Sequence, residues 1–235
     1  MTDVYDALAW ARTVLPRLPL RRRDISIDGE CVVGIGWSTG GHLALTLGFT
    51  SPLRTIRPPD ATLVFYCPLD YEDPFWSEPN LPFGDSASPS TLMQHDLLHG
   101  VHDNVITAYN PPKSRRALGG WMAPSDDRSL IALHMNWKGH TLRIVLNGLS
   151  KHSGVRSSDE LPEPTQSQIQ AVSPLAQIGR GAYTTPTFII HGTEDDLIPW
   201  KQAVRTFEAL RQRDVIADLR ILDGTEHLFD LYPSY

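Results

Sequence analysis

Three places in the 235-residue chain have the residue types and surroundings that acyl transfer needs: Ser38, the acidic run Glu194-Asp195-Asp196, and His227. Ser38 is the centre of Gly36-Trp37-Ser38-Thr39-Gly40, which ends the apolar run "ECVVGIGW" and opens the Ala/Leu-rich "GHLALTLGF". A serine attacks a carbonyl carbon only with a base to take its proton and N–H donors to hold the oxyanion that forms. A Gly-x-Ser-x-Gly turn between strand and helix supplies the geometry: it pushes the serine out at the strand's C-terminal end, and glycine on either side avoids collision with neighbouring chain. An ordinary strand–turn–helix is the plain alternative, so the partners must decide.

Those partners follow in the order acid, then histidine, each just past a later apolar run. "FIIHGTEDDLIP" places Glu194, Asp195 and Asp196 in one loop, and "LDGTEHLFD" places His227 in another. All three loops would leave C-terminal strand ends, where an open α/β sheet builds its site. In such a constellation the histidine acts as general base and then general acid, and the carboxylate orients it. Loop position alone leaves the choice of acid open.

The elements that must position these residues are legible in the pattern. Val4, Leu8, Ala11 and Leu15 share one face of a helix over 3–15 that Pro16 ends. "ECVVGIGW" lacks alternation, which suits a parallel strand covered on both faces. A helix from Ser38 to about Leu47 follows. "ATLVFYCP" (61–68), "PTFIIHG" (186–192) and the more alternating "ADLRILDG" (217–224) are further strands. Between the last two, "PWKQAVRTFEALRQRD" reads as a helix with Pro199 in its first turn and Val204, Phe207 and Leu210 on one stripe. This alternation predicts an α/β parallel sheet flanked by helices. Residues 70–170 interrupt it as an insertion within a single domain of 1–235. Its "SLIALHMNWKG" and "TLRIVLNGL" have helical periodicity, whereas "SKHSGVRSSDELPEPTQSQ" reads as a mobile loop.

Composition removes whole classes of function. The formal net charge is −6, and the only basic cluster, Arg21-Arg22-Arg23, is short, so no nucleic-acid partner is expected. No apolar run approaches the roughly 20 residues of a membrane helix, and no signal-peptide pattern opens the chain. A cytoplasmic setting away from membranes is expected. Cys31 and Cys67 fall at opposite ends of neighbouring strands and are expected to be free thiols.

With these residues in place, the sequence resembles the α/β-hydrolases, whose acid loop often reads His-Gly-x-x-Asp-x-x-Val/Ile-Pro; "HGTEDDLIP" matches it and selects Asp195. "GIGWSTGGHLAL", "FYCPLDYEDPFW", "LHMNWKG" and "TPTFIIHGTEDDLIPW" together resemble the C-terminal thioesterase/esterase domain of fungal non-reducing polyketide synthases, along most of the chain. The resemblance implies an acyl thioester substrate, carried on an acyl carrier protein and released through a Ser38 acyl-enzyme. It implies that 70–170 is a helical lid and that no cofactor or metal is used. It also implies strands before the nucleophile strand, and a His-Gly-Gly run there that gives a second oxyanion N–H. No such run precedes Ser38, so the chain reads as N-terminally truncated, with Thr39 N–H the one oxyanion donor that can be named. "CVVGIG" then becomes a sheet edge through which the chain could self-associate. A small-molecule carboxylesterase and a non-catalytic remnant that keeps the triad are the competing readings.

Several other residues invite roles. Trp37, Tyr71 and Trp76 are candidates for acyl binding, as are Tyr66, Phe75 and Trp137, although core packing explains each as well. His42 reads as a packing or capping histidine and His191 as a buttress of the acid loop. His95, His99 and His102, with Asp96 and Asp103, have helical spacing but read as solvated surface rather than a metal site.

Overall fold

The structure, a computed structural model, describes residues 2–22, 24–80, 134–147 and 158–231. The described residues fall into two units: 1–71 with 170–235, and 72–169. The second unit is inserted in the chain between the second and third strands of the first.

The first unit is the predicted α/β alternation. Helix α1 (Thr2–Thr13) precedes strand β1 (Val33–Trp37), helix α2 (Thr39–Thr50) and strand β2 (Ala61–Phe65). In the second unit a helical stretch at 134–138 is followed by α3 (Thr141–Asn147), and α4 (Gln166–Val172) leads back to the first. Helix α5 (Pro174–Gly179), strand β3 (Thr187–Gly192), helix α6 (Lys201–Gln212) and strand β4 (Ala217–Leu222) complete it. Among the described residues there are four strands, all parallel, in the order β1-β2-β3-β4. The register sets Val64 beside Ile189, and Gly192 beside Leu222.

Strand alternation decides what faces the core. On β2, Thr62 and Val64 are buried; on β3, Thr187, Ile189 and His191 are. Val64 and Ile189 join Leu45 and Phe49 of α2, Ile178 of α5 and Ala203 and Leu210 of α6 in one apolar core. Three buried hydroxyls among them are paired: Thr62, Thr187 and Tyr183 exchange hydroxyl bonds of 2.7–2.9 Å. A smaller cluster of Tyr5, Leu8 and Leu47 seats α1 on α2. The Asp60 carboxylate accepts from Val32 N–H (2.9 Å) and from Arg12 (3.0 Å), tying α1 to the start of the sheet.

The structure corrects several details of the sequence reading. α1 ends at Thr13, and Leu15–Arg17 is a 3₁₀ turn; a proline at 16 lacks an N–H and crowds the carbonyl four residues back, so the helix closes early. Pro199 precedes α6 rather than opening it, and its carbonyl accepts from Gln202 N–H. The buried stripe of α6 is Gln202, Ala203, Thr206 and Leu210, with Val204 and Phe207 only half-buried. β1 is not covered on both faces: it is an edge of the sheet among the described residues, and Val33, Ile35 and Trp37 are 55, 51 and 46% exposed. Within the expected mobile loop, Ser158–Glu160 is a 3₁₀ turn and 166–168 is already helical.

In the second unit, Asp73 accepts from Phe75 N–H at 3.0 Å and starts a 3₁₀ turn that buries Trp76. Asn80 N–H donates to the Asn136 carbonyl. The candidate histidines 95, 99 and 102, and most of the expected lid, lie outside the described residues. Among the described residues no helix is long and apolar enough to cross a membrane. Cys31, exposed before β1, and Cys67, buried after β2, are both free thiols.

Candidate active site

The turn that carries Ser38 is built by one close approach. A Cβ at Gly36 would lie 2.2 Å from the Gly40 carbonyl oxygen, so only glycine lets β1 run directly into α2. Gly40 itself has open space where a Cβ would go; the expectation that both glycines avoid collision holds for the first alone. Ser38 sits between them at φ 50°, ψ −129°, a conformation a non-glycine residue rarely holds. Its amide donates to Phe65 O at 2.9 Å, fixing the turn against the end of β2. Thr39 is the first residue of α2, where the N–H has no acceptor within the helix and the positive end of the helix dipole faces outward.

His191 continues the buried row of Thr187 and Ile189 off the end of β3, and the chain then loops so that Asp195 returns above it. The Asp195 side chain is fully buried, while Glu194 and Asp196 are exposed. Asp195 Oδ1 accepts from Leu197 N–H (3.0 Å) and Ile198 N–H (2.9 Å). Oδ2 lies 2.7 Å from His227 Nδ1 and 2.9 Å from His191 Nε2. Burial raises the Asp195 carboxyl, but the hydrogen bonds from His191 and His227 outweigh it and hold the group below the usual carboxylate range. His191 Nε2 also approaches Ile198 O at 3.1 Å. With two acceptors before it, that nitrogen carries the proton, and His191 braces the acid loop.

His227 enters from the loop after β4. An Nδ1 that faces a carboxylate is protonated, which leaves the lone pair of the neutral ring on Nε2. That Nε2 is buried and has no hydrogen-bond partner among the described residues, so the Ser38 hydroxyl does not bond it. The two loops still reach the same sheet end. Ser38 is bonded to Phe65, and the next residue, Tyr66, has its ring centroid 4.4 Å from that of His227.

The remaining candidates divide. Trp37 is exposed and stacks on Phe65, ring centroids 5.2 Å apart. Tyr71 is buried edge-on to His42 at 5.0 Å, and its amide donates to Ser173 Oγ. Trp76 is buried in the second unit against Phe75, and Trp137 is half-buried there. His42 donates from Nε2 to Val172 O at 3.0 Å, and burial lowers its basicity, so it is a neutral structural link. Tyr66, offered by the sequence as an acyl-binding or core residue, is buried, carries a positive φ of 37° and packs on His227; no local signal marks that contact with the histidine.

Residues 148–232 match the model of the prolyl oligopeptidase family. Over its whole length the chain is 58% identical to the non-reducing polyketide synthase adrD of Penicillium rubens, and 51% identical to the non-reducing polyketide synthase ausA of Emericella nidulans. It spans about 10% of the length of each. Among solved structures, it aligns over 95% of its length with 56% of an acetyl ester-xyloside bifunctional hydrolase from Caldicellulosiruptor lactoaceticus, at 16% identity and a TM-score of 0.47. The chain has a parallel α/β fold and is homologous, from end to end, to one segment of the fungal non-reducing polyketide synthases.

Proposed function

We propose that this chain is a serine hydrolase of thioesterase type, with Ser38 as nucleophile, His227 as general base and Asp195 as its orienting acid. The observation that carries the reading is the His227–Asp195 bond of 2.7 Å, with the other imidazole nitrogen buried and without a partner among the described residues. A buried basic nitrogen whose lone pair no donor among the described residues engages is poised to take a proton.

In this reading the Ser38 hydroxyl gives its proton to His227 Nε2 as Oγ bonds to the thioester carbon. The carbonyl electrons move to the oxygen, held by Thr39 N–H. Collapse breaks the C–S bond, and the imidazolium returns the proton to the departing thiolate. Water then repeats the sequence on the acyl-enzyme, releasing the acid and restoring Ser38. The substrate class, a polyketide acyl group on a carrier-protein thioester, is taken from the synthases that the chain resembles; Trp37 at the turn is proposed to contact it.

The test is to treat the protein with a fluorophosphonate probe and to compare hydrolysis of acyl-N-acetylcysteamine thioesters with that of the matching oxygen esters. Labelling that Ser38→Ala abolishes, with faster thioester turnover, is expected. Preference for the oxygen ester would make the chain a carboxylesterase. Absence of labelling and turnover would leave a non-catalytic fold.

A further inference from the structure

Among the described residues the His227 ring holds one hydrogen bond, through Nδ1. A ring with one anchor can still swing about it, so something else must set where Nε2 points. The candidate is Tyr66, which immediately follows the strand residue bonded to Ser38. Its side chain is 1% exposed. Its amide donates to Ile190 O at 2.8 Å, pinning this positive-φ residue between the ends of β2 and β3. From there it touches three residues of the histidine loop: the His227 ring at 4.4 Å between centroids, the Phe229 ring at 5.4 Å, and the Asp230 carboxylate, which accepts from the Tyr66 hydroxyl at 2.5 Å.

Resting on the hydrolase reading, we propose that Tyr66 is a positioning residue for His227: its ring sets the plane of the imidazole, and its bond to Asp230 ties the histidine loop to the strand end that holds the nucleophile turn. Backbone strain at a non-glycine residue persists only where surrounding structure imposes it, and it concentrates at functional sites. Here Ser38, Tyr66 and Leu228 all have positive φ, one in each of three segments that meet at the site. Burial, and then the bond to Asp230, push the Tyr66 phenol well above its ordinary value, so it remains a donor at any working pH. Beyond steric support, an electron-rich ring this near an imidazole stabilises the imidazolium that forms when Ser38 loses its proton.

The experiment compares Tyr66→Phe, Tyr66→Leu, Asp230→Ala and Asp230→Asn with the wild type, following the pH profile of kcat/KM and, separately, the His227 Cε1–H resonance by NMR. Tyr66→Leu should lower kcat about 100-fold with KM changed less than twofold, and should move the acid-limb midpoint down by about half a pH unit. Tyr66→Phe and Asp230→Ala keep the ring and lose the tie; both should lower kcat about tenfold and leave the midpoint in place. Asp230→Asn retains an acceptor and should restore most of the rate. The ring-current shift of the His227 proton should vanish in Tyr66→Leu and remain in Tyr66→Phe. Wild-type kcat and midpoint in a folded Tyr66→Leu, or a tenfold loss in Asp230→Asn equal to that in Asp230→Ala, would overturn the proposal. If Tyr66→Leu does not fold, the pair Tyr66→Phe and Asp230→Ala decides it, since wild-type kcat in both removes the tie. Should the wild type and Ser38→Ala prove equally inactive, the hydrolase reading fails by itself, and an unchanged His227 resonance in Tyr66→Leu would overturn the positioning independently.

Discussion

Asp195 and His227, 32 residues apart in the chain, meet through a 2.7 Å bond between Oδ2 and Nδ1 that is buried from both sides. The neighbouring carboxylates of Glu194 and Asp196 are turned to the surface. Only one acid can therefore orient the imidazole. In an active protein, Asp195→Asn should lower kcat on the order of 10⁴-fold by favouring the wrong tautomer, while Asp196→Asn should stay within about twofold of the wild type. Steady-state thioester hydrolysis reads both, and equal losses would remove Asp195 from this role.

The two glycines of the turn should respond in opposite directions. Gly36→Ala drives a methyl into the Gly40 carbonyl, so it should cost about 3 kcal/mol or more or prevent folding. Gly40→Ala meets nothing and lies in the first turn of α2, so it should be neutral or stabilise by about 0.4–1 kcal/mol. Denaturant unfolding of the two variants checks the sign of each.

Asp60 predicts a pH dependence. Burial raises its carboxyl, but Val32 N–H, Arg57 and Arg12 outweigh that and bring it down to about 2. A depressed carboxyl contributes stability that is fully present above its unfolded value of about 4 and is lost as pH falls through the folded value. Asp60→Ala should destabilise by about 1–3 kcal/mol at pH 7, with the difference from wild type shrinking below about pH 4. Urea titrations at pH 7, 5 and 3 would show a constant difference if Asp60 were merely exposed.

β1 should make the isolated chain associate. Its even residues face β2, since Val32 O and Ser38 N are bonded there, so by alternation the amides of Val33, Ile35 and Trp37 point to the free edge. The side chains of those three are exposed and apolar as well, a template for pairing with another strand. Sedimentation of residues 1–235 should show species larger than 26.2 kDa, and Ile35→Lys should shift them toward monomer. A monodisperse wild type would contradict this.

The sequence by itself determined what is local. Apolar runs, helix periodicity and the Gly-x-Ser-x-Gly turn depend on residues within a few positions of one another. Among the described residues they therefore place the four strands, most of the helices and the loops that hold Ser38, Asp195 and His227. Boundaries slipped where a tertiary contact or a proline shifted them, as at Thr13 and at Pro199. What only the tertiary structure decided depends on the register of β3 with β4, which sets Gly192 beside Leu222 and so brings two loops together at one height. That register turns Asp195 inward to two histidines. The exposed face of β1, which an unalternating apolar run does not announce, depends on which strand lies beside it. Tyr66 is the furthest from legible: tyrosine favours regular strands, and its left-handed backbone and its bond to Asp230, 164 residues away, exist because three separate loops impose them at once.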